Sequence, residues 1–189
     1  MHLQNILVPL AASVASVRAA AVPNLPPGFP QGSYSLLHSR PLENGTLYYW
    51  GDASEAAKAK IDWDAGWDEN AVDVPTPSPI PMQRRCGSNV VHCSNTNLAR
   101  TDVCQQAVDA LRANLGGSIA YPVQVISFRS GDFWCNIAWA DRINNLVNGY
   151  LVAAASKTLG LCGTTGSVSG WADDVSLNNI CTTQYMSNA

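Results

Sequence analysis

All six cysteines of this 189-residue chain, Cys86, Cys93, Cys104, Cys135, Cys162 and Cys181, follow the dibasic pair Arg84-Arg85, and ten of its eleven prolines precede that pair. An even set of cysteines separated by six to thirty residues reads as a disulfide framework, while a zinc site would want close pairs such as C-x-x-C. Closed bridges need an oxidising compartment, so the expected location is extracellular. The spacing leaves the pairing open. Each bridge would add roughly 2–4 kcal/mol to a modest core of 104 residues.

The start of the chain agrees with that location. Residues 1–21 carry an apolar centre from Ile6 to Val17 followed by Ala19, Ala20 and Ala21, the layout of a secretory signal peptide. Residues 22–85 then read as a propeptide, largely extended or disordered, with eight acids against five bases and with Trp50, Trp63 and Trp67 interleaved. The run VPTPSPIPMQRR is extended, because each proline fixes its own φ and turns its predecessor away from helical space. An extended strand ending in two arginines suits a subtilisin-like processing protease; the alternative is a linker that happens to end in Arg84-Arg85. A short helix is expected over residues 53–60. Asn44-Gly45-Thr46 forms a glycosylation sequon, credible in a secreted chain. The pro-segment would either pack on the domain that follows, assisting its folding or masking a surface, or serve as a partly ordered spacer.

Residues 86–189 hold six Asp, no Glu, four Arg and Lys157. With a sequence pI near 5.4, the chain offers no basic field for a nucleic-acid backbone. Thr101 and Asp102 read as caps of a helix whose apolar positions Val103, Cys104, Ala107, Val108, Leu111 and Leu115 recur at helical spacing up to Gly116-Gly117. A second helix is expected from Asp141 towards Leu159, stopped by Gly160. Between them, residues 123–128 and 133–139 form a hairpin around Arg129-Ser130-Gly131-Asp132. Residues 166–171 and 175–181 read as strands around an Asp173-Asp174 turn, with a short strand near 89–92. The expected fold is α+β: a two-layer sandwich, a mainly antiparallel sheet with two helices on one face, and three disulfides.

The segments CGSNVVHCSN, WCNIAWAD, NGYLVAAASKTLGLC, VSGWADDVSL and CTTQYMSNA resemble the secreted fungal family catalogued as WD-like, which is distinct from the WD40 propellers. The resemblance spans the whole of residues 86–189. It implies paired cysteines where this chain has Trp134-Cys135 and a further cysteine where it has Tyr185. Trp134 and Tyr185 would then stand in for one lost bridge, as neighbouring rings. More remotely, the order of elements and cysteines is similar to the killer toxins of smut fungi, which usually present basic groups; Lys157 is the sole lysine of the region here.

Catalysis finds few residues. His92 is the one histidine of the region, and it reads as a strand residue beside a bridge rather than as an acid or base. Asp102, Asp132 and Asp141 are better used in caps and turns, Asp173-Asp174 as a solvated turn, and neither a metal nor a cofactor is implied. No catalytic residue is therefore assigned, and the chain reads as non-enzymatic. The first expectation is an effector-like or toxin-like protein acting at a cell surface on a protein, glycan or membrane ligand. A cell-wall carbohydrate-binding or structural protein is the alternative, and a small secreted hydrolase the third reading. Trp134, on the opposite strand face from Phe133, Cys135, Ile137 and Trp139, is the most informative aromatic: it either packs on Tyr185 or contacts the partner.

Overall fold

The computed structural model describes residues 34–59 and 86–188. The elements in chain order are β1 (Tyr34–Leu42), β2 (Gly45–Asp52), α1 (Ala53–Ala59), β3 (Val90–Cys93), β4 (Ala99–Arg100), α2 (Thr101–Ala113), β5 (Ser118–Ile119), β6 (Val123–Ser130), β7 (Phe133–Trp139), β8 (Leu146–Val147), α3 (Asn148–Cys162), β9 (Ser167–Val168), β10 (Gly170–Leu177) and β11 (Ile180–Ser187). Seven strands form one sheet in the order β1-β2-β6-β7-β11-β10-β3, every pair antiparallel. The α+β class, the antiparallel sheet and the three bridges are as the sequence implies.

Periodicity explains most of the architecture. Val103, Cys104, Ala107, Val108 and Leu111 of α2 are buried along one stripe, as are Leu151, Ala154, Ala155 and Leu159 of α3. Both stripes share one core with Leu47 and Tyr49 of β2, Ile126 and Phe128 of β6, Ile137 and Trp139 of β7, and Met186 of β11. The helices thus cover one sheet face. The strand residues that alternate with these point the other way, where Tyr34, Trp50, Val125, Ala138 and Tyr185 make a second buried cluster. The β6–β7 hairpin closes through Gly131-Asp132, with Gly131 at φ 59°, the left-handed geometry such a tight turn requires.

The bridges are Cys86–Cys181, Cys93–Cys162 and Cys104–Cys135, with Cα separations of 5.5, 5.3 and 5.1 Å. They tie the segment before β3 to β11, β3 to the end of α3, and α2 to β7. Three closed bridges are the chemistry of an oxidising compartment. Among the described residues no helix is long and apolar enough to cross a membrane.

Several expectations are corrected. Residues 34–59 are not disordered, and of the two readings of this segment the one that packs it on the following domain holds: β1 and β2 form one edge of the sheet, β2 pairs with β6 from Thr46↔Arg129 to Gly51↔Val123, and Leu47 and Tyr49 enter the main core. The helix expected over 53–60 is α1. The second long helix begins at Asn148 rather than Asp141, because Asn145 takes a left-handed φ of 53° and Leu146-Val147 pairs with β5. It also runs past Gly160 to the bridged Cys162. Neither Thr101 nor Asp102 is the N-cap: Arg100 holds that position without a side-chain cap, and its guanidinium pairs with Asp102 in the first turn at 2.7 Å. Asp173-Asp174 is a bulge inside β10, while the turn is made by Asn178-Asn179, both left-handed at φ 45° and 67°. The expected signal peptide (1–21) and processing pair Arg84-Arg85 lie outside the described residues.

Candidate binding face of the sheet

The sheet face away from α2 and α3 is organised by register. One row crosses all seven strands: Leu36, Trp50, Val125, Ala138, Tyr185, Trp171 and His92 are successive cross-strand partners. Two residues along the strands lies a second row, Ser39, Tyr48, Ser127, Asn136 and Ser187, and beyond it a third through Thr46, Arg129 and Trp134. Alternation at a period of two sends all of these to the side away from α2 and α3.

The first row is apolar and aromatic. Trp171 stacks on His92 with centroids 5.3 Å apart and planes at 22°. Burial pushes the pKa of the Tyr185 hydroxyl up, and the carboxylates of Asp173 and Asp141 push the same way, so it stays a neutral donor. The second row is polar and enclosed. Ser127, Asn136 and Ser187 are 0–1% exposed, and neither their hydroxyls nor either amide atom of Asn136 has a hydrogen-bond partner; Trp50 Nε1 beside them has none either. Each such buried polar atom costs about 1–3 kcal/mol, a condition that Trp139 Nε1 and Gln184 Oε1 share on the helix-covered side.

Trp134 and Tyr185 are not neighbours. Tyr185 sits opposite Ala138, four residues along β7 from Trp134, whose ring instead packs on Tyr48 at 5.1 Å with the Arg129 guanidinium 5.3 Å away. The outlet for Trp134 is therefore the β1–β2 hairpin, an element that the cysteine-bearing region does not contain. Tyr48, Trp134 and Trp171 remain partly exposed. Asn44 is exposed in the two-residue turn joining β1 to β2, a position open to a glycan.

His92 lies on the exposed edge strand, its Nε2 3.3 Å from Asp173 Oδ2, with both side chains nearly half exposed. Thr183 Oγ1 donates to the other Asp173 oxygen at 2.7 Å. The hydroxyl thus reaches the carboxylate and not the imidazole, and no Thr–His–Asp relay results. The groove beside Asp173, of about 290 Å³, is lined by Asp141, Asp174, Thr182 and Thr183 and leaves His92 out. Among the described residues no three His, Cys, Asp or Glu side chains gather as metal ligands. The bulge in β10 places Asp173 here, which a sequence reading of Asp173-Asp174 as a turn misses. The aromatic pairing of Tyr48 with Trp134 is likewise hidden until β2 is recognised as a neighbour of β6.

Comparison of the chain with protein-family models, with characterised proteins and with solved structures finds no match.

Proposed function

We propose that this is a secreted, disulfide-braced, non-enzymatic protein that acts at a cell surface in an effector-like or toxin-like manner, using the face of its sheet away from α2 and α3. One observation carries the reading: Tyr48, Trp134 and Trp171 stand partly exposed on the same face of the sheet. Partly exposed rings supply contact area at low entropic cost, as at binding faces in general. A second reading is favoured by the same rings: aromatic faces suit the apolar side of a sugar, so the surface would be a wall polysaccharide. Among the described residues the Thr183 hydroxyl reaches Asp173 and not His92, so these three side chains do not form a relay for the third reading, a small hydrolase.

The test is depletion of purified protein from solution by intact cells and, separately, by insoluble chitin and β-glucan. Binding to cells that soluble polysaccharide does not compete supports the first reading; binding to an isolated polysaccharide supports the second. Trp134→Ala and Trp171→Ala should each weaken binding at least tenfold while leaving the thermal midpoint within a few degrees. Wild-type protein that stays in solution in every arm, or variants that bind as wild type does, would overturn the use of this face.

A further inference from the structure

We infer that residues 34–59 are a non-covalent structural partner of residues 86–188, so that a cut in the segment joining them yields a two-chain complex and not a freed domain. Three observations meet at this interface. First, β2 supplies the sheet with both of its faces: Leu47 and Tyr49 enter the core beneath the helices, whereas Trp50 lies with Val125, Ala138 and Tyr185 on the opposite side. Removing the hairpin would open both clusters at once and leave β6 as an unpaired edge.

Second, the fit is steric as well as apolar. A Cβ on Gly45 would strike the Arg129 carbonyl and the Phe128 ring, and one on Gly51 would strike the Pro122 carbonyl. The two glycines stand at opposite ends of β2, where the backbone approaches closest. Third, Asp52 ends β2 in an ion pair with Arg142 at 2.9 Å, joining the hairpin to the segment after β7. No sulfur joins the two parts, because every cysteine lies within 86–189 and pairs there. Pairing and burial alone must hold them. If a protease reads Arg84-Arg85, the product retains its N-terminal strands.

The experiment uses the full chain with residues 76–81 replaced by a site-specific protease sequence, cut to completion and examined by native mass spectrometry and size-exclusion chromatography. The two fragments should run together at one to one and part only in denaturant. Separate elution, whether residues 86–189 remain folded or precipitate, would overturn the inference. Gly51→Ala, whose Cβ would meet the Pro122 carbonyl, should release its fragment at least ten times faster after cutting. A release rate equal to that of the parent would count against the interface described.

Discussion

Leu47→Ala is the sharpest test of whether the early hairpin belongs to the fold. Leu47 is 3% exposed, sits opposite Phe128 and shares the core with Val108 and Leu111 of α2. Truncation removes three carbons, at ~0.8 kcal/mol each about 2.4 kcal/mol of transfer free energy. The cavity left between a strand and a helix adds to this, and the total should be about 3 kcal/mol, within the range of buried Leu→Ala changes. For a urea slope of about 2 kcal/mol per molar, the midpoint falls by about 1.5 M. The assay is equilibrium urea unfolding of the full, oxidised chain followed by tryptophan fluorescence, with Leu36→Ala, on an exposed position of β1, as the control expected to shift it little. A shift below about 0.3 M for Leu47→Ala, with a full-sized shift for Val103→Ala in α2, would refute the claim that β2 is part of the cooperative core.

Three further outcomes are expected. Under graded reductant, Cys93–Cys162, whose Cys93 is exposed, should open before Cys104–Cys135, both of whose residues are fully buried; mass-mapped alkylation reads the order, and the reverse order would contradict the packing. Asn136→Leu should leave the thermal midpoint unchanged or raise it, since it removes a buried amide without partners; a loss beyond about 1 kcal/mol would show that the amide is satisfied after all. The Ser54 hydroxyl foremost, then the Ser54 and Glu55 amides and Arg142, holds the Asp52 carboxyl below the usual carboxylate range. Its stabilisation is therefore present above the ordinary value near ~4 and is lost as pH falls towards the lowered one. The difference in urea midpoint between parent and Asp52→Asn should shrink from pH 6 to pH 2.5; a constant difference would assign Asp52 no titrating role.

Local patterns made part of this molecule readable. The stripe of α2 and the Gly131 turn declare themselves over a dozen residues, and the parity of strand positions correctly separates Trp134 from Trp139. The β1–β2 hairpin was harder to read because Leu47, Tyr48, Tyr49 and Trp50 are apolar on both faces and show no alternation. Asn44-Gly45 is a strong turn signal, but it reads equally as part of a glycosylation sequon. Ile143, Leu146 and Val147 continue the spacing of α3 although they precede it; pairing with Ser118-Ile119 decides otherwise, and that contact is distant in sequence. The same holds for Asp173-Asp174, where pairing with β3 keeps the strand going. The candidate face depends wholly on such distant neighbours: Ser127, Asn136 and Ser187 become a row only once three strands are in register.

The position of the hairpin at one sheet edge also sets a schedule for biosynthesis. Its last residue, Asp52, is made about 70 residues before Val123, the start of the strand it must meet, and at roughly 5–20 residues per second the wait is several seconds. During that interval a two-stranded ribbon bearing Tyr48, Tyr49 and Trp50 has no mate, and such a ribbon is marginal in water. Arg40 and Pro41 on its outer strand discourage a second nascent chain from joining there.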